Sequence, residues 1–536
     1  MSRNMKELNQ LPPLEADFYP SDAGLKTLLE SLCPTDQKKR LFEKLAEFSR
    51  RTSGEWDRLA RESAEDYDGP RIESYDRGGN PIDRIWLPPP VRQLRREVVE
   101  AGVFDNKSDL ELFAKVYLLA HLGEASLTCP LACTEGLIRV IEAVGSDFLK
   151  KNFLPKLRSV ETPLAGSQFI TEQDIGSDVG ALTTRAVQEG NGTWRLQGEK
   201  WFCSAIDEFF LIAARPEGAA EGTNGVAIFF VPRTIEGQLN NLRIKRLKEK
   251  IGTKELPTAE IDLDGALAYN IGPVDQGFKS LMNHVINTSR IMNAASACGV
   301  MARASLEADH YAQNRSAFGK KISEYPMVQE SLGKIRAILE SRRALYFHLI
   351  SERDKRPVQD FKSDEALWQR FLINICKYRT SIGATECTHE AVLTLAGNGT
   401  IETFSILPRL YRDSLVLEAW EGTHNTLVLQ IARDGLRFPF RDCLQEQILK
   451  RAERAGKGGF HETAEWLIRS WEETAPLLER LTDADWVNRE ARHLTDRLGS
   501  LLEVAFYVDL AVLPAGPRSR EAGLLEPLMR EKATIS

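Results

Sequence analysis

One acidic residue stands inside a markedly apolar part of the sequence. Glu421 lies between the runs SLVLEAW and TLVLQIA, and Gly422 follows it directly. A carboxylate in such a setting costs free energy unless it is hydrogen-bonded, paired with a cation or neutralised by a shifted pKa. The stretch EAWEGTHN, residues 418–425, therefore needs an explanation from the rest of the chain.

Four further segments combine glycine with polar residues in compact patterns, and two of them also contain aromatic residues. The first three have an ordinary structural explanation when taken alone: a helix cap after a strand, a half-buried strand, and a solvated charge at a helix end. The segments are ITEQDIGSDVGALTT (170–184), GEKWFCSA (198–205), YAQNRSAFGK (311–320) and LAGNGT (395–400), the last of which continues through PRLYRDSLVLEAWEGTHN.

The elements that must position these segments follow from length and periodicity. A chain of 536 residues exceeds what one core usually organises. Apolar residues recur at helical spacing before residue 162 and after residue 277, whereas the part between them reads as short strands bounded by turns. We predict a helical domain over 1–161, a β-domain over 162–274, a four-helix bundle over 275–440 and a helical appendix over 441–536.

Charge and cysteine content exclude several classes of protein. The net charge of −7 offers no global attraction to nucleic acid or to an anionic membrane. The N-terminus has no apolar signal region and no run is long enough to span a bilayer, so we expect a cytoplasmic protein. Among the eight cysteines only Cys129 and Cys133 lie close together, and neither zinc-like spacing nor HExxH occurs. We expect reduced thiols and no metal site.

Together, the motifs resemble the acyl-CoA dehydrogenase flavoprotein family, and the long N-terminal part and the appendix resemble its AidB-like branch. The resemblance covers about residues 8–440 and, less distinctly, the appendix. It implies a mainly α fold with an inserted antiparallel β-domain: an N-terminal helical domain, a middle β-barrel, a C-terminal four-helix bundle and a helical appendix. It also implies FAD as cofactor, an acyl-CoA thioester as substrate, an electron-transfer flavoprotein as acceptor and a homotetramer.

The resemblance assigns cofactor contacts motif by motif. Segment 170–184 is similar to the family's TEPGAGSD loop but has Gln173, Asp174 and Ile175, which add charge and bulk at the expected substrate path. Arg315, Phe318 and Gly397 would contact the FAD of a neighbouring subunit. The residues expected to bind FAD are Ile170, Thr171, Ser177, Phe202, Cys203, Ser204, Arg315, Phe318, Gly397, Thr423 and Asn425.

For Glu421, the resemblance implies the general base. In these enzymes a carboxylate removes the α-proton of the thioester while the flavin accepts hydride from the β-carbon, giving a 2-enoyl-CoA. Arg412 and Asp413 precede Glu421 by nine and eight residues, as in the family pattern. Some branches place the base on the first bundle helix, where this chain has Ser289, which cannot replace a carboxylate. Ser177 and Arg290 are expected at the substrate, Arg290 through CoA or through the electrostatics of the site.

Two alternatives keep the fold and FAD. One is a factor associated with nucleic acid, as proposed for AidB, which would need a basic groove that the appendix does not show. The other is a sensor that binds acyl-CoA with little turnover, which the altered segment 173–175 leaves open. We expect His424 to point away from the chemistry.

Overall fold

The computed structural model describes residue 14 and residues 16–65, 69–190, 192–358, 360–438 and 440–512. The N-terminal part consists of α1 (Phe18–Ser21), α2 (Ala23–Leu32), α3 (Thr35–Arg51), α4 (Asp57–Glu65), β1 (Arg71–Tyr75), β2 (Pro81–Trp86), α5 (Pro89–Glu100), α6 (Asp109–Leu119), α7 (Thr128–Val144) and α8 (Asp147–Leu157). Ser108 and Ser146 cap α6 and α8, because each hydroxyl accepts a hydrogen bond from a first-turn amide.

The middle part is a sheet domain. Its strands are β3 (Gly166–Phe169), β4 (Arg185–Gly190), β5 (Thr193–Ser204), β6 (Phe209–Pro216), β7 (Ala227–Pro232), β8 (Thr234–Ile235), β9 (Gln238–Leu239), β10 (Leu242–Leu247) and β11 (Thr258–Asn270). Seven of them form one sheet in the order β10-β11-β5-β4-β6-β3, with β7 pairing both β11 and β6. The predicted β-domain is confirmed, and its strands lie inside the predicted range 162–274.

The pairing differs in detail from the expectation of a purely antiparallel barrel. β6 runs parallel to both β3 and β4, while the other pairings of this sheet are antiparallel. The chain crosses over between β3 and β6, which allows the parallel pairing. The pairings β11–β5, β5–β4, β4–β6, β6–β7 and β7–β11 form a closed circuit within a seven-stranded mixed sheet. Apolar side chains such as Phe210, Phe229 and Ile261 fill a core of their own.

The third part is a helical bundle. Its elements are α9 (Gly277–Ser280), a π-helical turn (Leu281–Ile286), α10 (Asn287–Asn314), β12 (Ser316–Ala317), β13 (Lys320–Lys321), α11 (Pro326–Lys355), α12 (Asp364–Leu395), α13 (Leu407–Ala419) and α14 (His424–Gly435). The three longest helices match the prediction of a bundle. The expected fourth long helix is instead divided into α13 and α14, because the chain leaves helical geometry between Trp420 and Thr423.

The appendix contains α15 (Phe440–Lys457), α16 (His461–Thr474) and α17 (Ala484–Ala511). Residues 513–536 of the predicted appendix lie outside the described part of the chain. α17 is fixed to the bundle by Arg379, whose Nε donates to Glu503 Oε1 at 2.6 Å inside the protein. Among the helices of the described residues, none has the length and apolar character needed to cross a bilayer. The domain boundaries stay a prediction.

Candidate active site

The break between α13 and α14 is built around Glu421. This residue has φ +59°, in the left-handed region that non-glycine residues rarely adopt, and Gly422 follows with φ +101°. Thr423 then caps α14 by accepting a hydrogen bond from the Thr426 amide at 3.4 Å. The chain therefore turns sharply at the acidic residue and restarts a helix directly after it.

Arg290, on α10, holds the turn from inside the bundle. Its Nε donates to the backbone carbonyl of Glu421 at 3.0 Å, and its Nη1 donates to Asn374 Oδ1 at 2.6 Å and Gln430 Oε1 at 3.0 Å. Because Arg290 is only 3% exposed, its guanidinium is occupied by protein groups. This geometry gives no support to a direct contact with CoA and fits the alternative expectation, an electrostatic role.

Lys377, on α12, is the second cation at the turn. Its ammonium donates to the carbonyls of Glu418 at 2.9 Å and Gly422 at 3.0 Å. Burial lowers the pKa of Lys377 to about 7, although the charge of Glu421 acts in the opposite direction. A lysine that titrates near neutral pH thus lies beside the carboxylate.

Protein atoms surround the carboxyl group of Glu421, but the residue as a whole is not fully enclosed. Burial raises its pKa to about 7, against the lowering influence of Arg290 and Lys377. By accessible surface the residue is only half-buried, so part of it still meets solvent while protein atoms crowd the carboxylate. Within the described residues, no group donates a hydrogen bond to the carboxylate, and the Glu421 amide N–H has no protein acceptor. The carboxylate is basic and the amide is available.

Asp413 joins the bundle to the other two parts of the protein. One carboxylate oxygen accepts from the Glu124 amide at 3.1 Å, just before α7, and the other accepts from the Thr253 amide at 2.6 Å in the loop before β11. In the same loop, a Cβ on Gly252 would lie 2.3 Å from the Arg412 carbonyl oxygen, so only glycine fits there. Asp413 of the sequence motif is therefore buried and positions two loops, whereas Arg412 is half-buried and its guanidinium donates to Glu402 Oε2 at 3.0 Å.

Segment 170–184 is organised by a buried acid that the motif comparison had not singled out. Glu172 accepts hydrogen bonds from the backbone and hydroxyl groups of Thr183 and Thr184 and is paired with Lys200 at 2.8 Å. Lys200 also donates to the Ile170 carbonyl at 3.1 Å. This core holds the loop in shape, while Asp174 in its middle is exposed.

The loop reaches the start of α14 through a pair of hydroxyl groups. Thr426 Oγ1 donates to Ser177 Oγ at 3.1 Å, which brings two predicted site segments together. Thr171 lies at the other end of the loop, where its carbonyl accepts from the Trp201 amide on β5 at 2.9 Å. Ser177, Thr423 and Asn425 are all exposed.

Strand β5 supplies an aromatic plate with a hydroxyl next to it. Phe202 is 53% exposed, which is unusual for a large apolar side chain on a strand, whereas Cys203 is fully buried in the sheet core. Ser204 Oγ lies 3.0 Å from Thr258 Oγ1. Lys248 Nζ lies 5.0 Å from the centre of the Phe202 ring. A half-exposed aromatic ring on the same strand as a hydroxyl group is a suitable surface for a planar, polar-edged ring such as a flavin.

Arg315, Phe318 and Gly397 form a separate group at one end of the bundle. The turn between β12 and β13 holds Phe318 at φ +49° with 99% of its side chain exposed. Asn398 Nδ2 donates to Tyr311 OH at 3.2 Å, which brings the loop of Gly397 to the end of α10, where Arg315 follows. The structure therefore gathers these three predicted residues away from the Glu421 turn, at an exposed surface.

The appendix also reaches the site. Arg492 Nη2, on α17, donates to Asn425 Oδ1 at 2.5 Å, so a predicted cofactor residue has a partner from the last described helix. His424 packs edge-on against Tyr378, and burial with nearby cations lowers its pKa to about 4. The absence of His424 from the chemistry stays a prediction.

Sequence reasoning missed several polar residues of this region. Lys377 is a charged residue within the largely apolar segment FLINICKYRTSIGA of α12. The same kind of sequence context that drew attention to Glu421 could have identified it. Glu124 is 4% exposed, and burial raises its pKa to about 8. The Cys129 thiol lies 4.0 Å from that of Cys133, and its pKa is raised by this contact and by burial, with smaller effects of Glu124 and Glu421.

Comparison with known proteins agrees with this fold and site. The middle domain of acyl-CoA dehydrogenases matches residues 167–266, and the C-terminal domain of acyl-CoA dehydrogenases matches residues 275–436. Acyl-CoA dehydrogenase family member 11 of Caenorhabditis elegans is 31% identical over 446 residues, which are 79% of this chain and 72% of that protein. AidB of Escherichia coli strain K12 is 28% identical over 383 residues, 68% of this chain and 69% of AidB.

A solved structure extends the likeness over the appendix. The crystal structure of Caenorhabditis elegans ACDH-11 in complex with C11-CoA superposes with a TM-score of 0.87 at 26% identity, covering 99% of this chain and 94% of that one. The fold and site define a flavin-dependent oxidoreductase that acts on acyl-CoA. The chain belongs to the acyl-CoA dehydrogenase family, its cofactor is FAD, and AidB is among its relatives.

Proposed function

We propose that this protein oxidises an acyl-CoA thioester to the 2-enoyl-CoA, with Glu421 as the general base. The observation that carries the proposal is the Glu421 turn, in which a half-buried carboxylate with a pKa raised to about 7 stands next to an unoccupied backbone N–H. A base whose pKa lies near the working pH combines adequate basicity with a deprotonated population.

Glu421, Arg290 and Lys377 have different roles in this reaction. The Glu421 carboxylate takes the α-proton, leaving the electron pair of the broken C–H bond to the new double bond. The Glu421 amide donates to the thioester oxygen and so stabilises the negative charge that develops there. Bound FAD supplies the acceptor for the β-hydride. Arg290 and Lys377 fix the turn and keep a positive potential behind the carboxylate.

FAD would be held by two groups of residues. Phe202, Ser204, Ser177, Thr423 and Asn425 would contact the cofactor next to Glu421, together with the backbone of Ile170, Thr171 and Cys203. Arg315, Phe318 and Gly397 would contact the cofactor of a neighbouring subunit. This second assignment makes the protein a homo-oligomer, a tetramer by analogy with its family, and electrons would leave to an electron-transfer flavoprotein.

An anaerobic titration with acyl-CoAs of increasing chain length tests the proposal. The absorbance of the bound flavin near its long-wavelength maximum should bleach with at least one thioester, and a 2-enoyl-CoA should appear in the quenched mixture. Tight stoichiometric binding of acyl-CoAs without bleaching would instead identify an acyl-CoA sensor, and the proposed oxidation would be wrong.

A further inference from the structure

A chain of hydrogen bonds runs from a lysine to the predicted flavin-facing hydroxyl. Lys250 Nζ lies 2.8 Å from Thr258 Oγ1, and Thr258 Oγ1 lies 3.0 Å from Ser204 Oγ. Strands β11 and β5 set this spacing, because Thr258 stands opposite Ser204 in their antiparallel register. Thr258 is 2% exposed, so water does not compete for its hydroxyl.

The donor and acceptor groups of Lys250, Thr258 and Ser204 set the direction of the two hydrogen bonds. A charged lysine has three donors and no acceptor, so Thr258 Oγ1 must accept from it. Thr258 Oγ1 keeps a second lone pair, but among the described residues its own hydrogen has no acceptor within reach except Ser204 Oγ, because Lys250 is a donor. The Thr258 hydrogen is therefore directed to Ser204 Oγ. Once Ser204 Oγ accepts this hydrogen bond, its own hydrogen is available for an acceptor other than Thr258. A protonated Lys250 therefore makes Ser204 a donor.

We propose that Lys250 and Thr258 are positioning residues that hold the Ser204 hydroxyl as a hydrogen-bond donor toward bound FAD. This inference rests on the proposed function, which places Ser204 at the flavin. A donor held at the flavin ring favours the electron-rich state of the ring and so raises its reduction potential. Neither positioning residue needs to touch the cofactor or the substrate.

The surroundings of Lys250 show that this lysine is not a simple surface charge. Its ammonium also donates to the Leu256 carbonyl at 2.6 Å. The titratable groups that face it come from three elements: Cys129 on α7 with Glu124 just before it, Asp413 on α13, and Glu255 in its own loop. Burial outweighs these groups and lowers the pKa of Lys250 to about 8.

Loss of the Lys250 proton would allow both hydrogen bonds to reverse direction. A neutral amine has a lone pair and can accept from Thr258, which in turn can accept from Ser204. Ser204 would then present a lone pair to the flavin instead of a hydrogen. The positioning effect is thus expected below about pH 8 and weaker above it, with the direction given by the lowered pKa of Lys250.

The test is the midpoint reduction potential of protein-bound FAD, measured by equilibration with a redox dye in the absence of acyl-CoA. Lys250→Met and Thr258→Val should make the potential more negative at pH 7. Loss of one hydrogen bond corresponds to a roughly tenfold change in the reduction equilibrium, about 30 mV for a two-electron couple. Thr258→Ser keeps the hydroxyl and should restore the wild-type value, and above pH 9 the variant and wild-type potentials should converge.

Bound FAD per chain and far-ultraviolet circular dichroism establish that each variant is folded and loaded. Wild-type potentials in loaded Lys250→Met and Thr258→Val would overturn the inference, as would a shift in Thr258→Ser equal to that in Thr258→Val. Because no thioester takes part, this result is separate from the base assignment, which the anaerobic acyl-CoA titration tests.

Discussion

Arg290 and Glu421 meet through the backbone, not through their charges alone: the guanidinium Nε donates to the Glu421 carbonyl at 3.0 Å. The cation thereby anchors a residue in left-handed geometry and leaves its carboxylate without a hydrogen bond from any described residue. A direct side-chain ion pair would lower the pKa of the acid and weaken it as a base. Glu421 therefore lies near Arg290 while the pKa of its carboxyl group stays raised.

Replacing the base should stop the chemistry and leave the holoprotein intact. Glu421→Gln removes the proton acceptor but keeps the shape of the side chain, so FAD should remain bound. The rate of flavin bleaching by the best acyl-CoA should fall by roughly 10²–10⁴-fold, as measured by anaerobic stopped-flow. Glu418→Gln, three residues earlier in the chain, is the matched control and should bleach within a few-fold of wild type.

The rate of bleaching should depend on pH through Glu421. The base is active when deprotonated, and its pKa is raised to about 7, so the rate should rise from pH 5.5 and level off above pH 8. Lys377→Met removes a positive charge that lowers this pKa, so its profile should move to higher pH. An unchanged or acid-shifted profile in Lys377→Met would contradict this electrostatic account.

A side chain at position 422 should strain the turn. A Cβ on Gly422 would lie 3.4 Å from Arg290 Nη2, which is an ordinary contact. The free-energy cost of alanine therefore comes from the backbone, because φ is +101° at this position. Gly422→Ala should destabilise the protein by about 1–2 kcal/mol and slow bleaching by moving Glu421. Gly333→Ala, in α11 with open space around it, should leave the thermal unfolding temperature and the rate unchanged or raise stability slightly.

The buried acid of segment 170–184 should make stability fall in acid. Lys200 and hydrogen bonds from Thr183 and Thr184 outweigh burial and lower the pKa of Glu172 to about 2. A folded-state pKa below the unfolded value gives stability that is complete above about pH 4.5 and is lost as the pH falls toward 2. Glu172→Gln should unfold more easily at pH 7 and show a shallower loss of stability between pH 5 and 3, measured by denaturant titration.

The appendix should depend on one buried ion pair. Glu503 is fully buried and accepts from Arg379 Nε at 2.6 Å, so Glu503→Gln removes the buried counter-ion of this guanidinium and leaves it only the more exposed Asp496, at 3.1 Å. Removing one partner of such a pair destabilises by about 3–5 kcal/mol, which should appear as earlier denaturant unfolding and faster proteolysis within α15–α17. Glu453→Gln, from an exposed pair with Lys457, is the control and should change little.

Local pattern was enough to predict the large-scale organisation. Helical spacing before residue 162 and after residue 277 and short strand-like runs between them correspond to strands that begin at Gly166 and end at Asn270. Burial alternation and turn residues act over a few positions, so a single sequence carries them. The motifs with Arg315, Ser177 and Glu421 likewise predicted the family, because their order and spacing are preserved along the chain.

Only the tertiary structure decided how these residues work together. Arg290 and Glu421 lie 131 positions apart in the chain, and Lys377 reaches the same turn from a different helix. The shared environment sets the pKa of Glu421, and the contact between Lys250, Thr258 and Ser204 depends on the register of two strands. The sequence by itself determined the family and the order of helical and strand regions, and it supplied Glu421 as the candidate base. Packing decided its basicity, the enclosure of Arg290 and the break in the fourth helix, since desolvation and hydrogen bonding depend on contacts between distant residues.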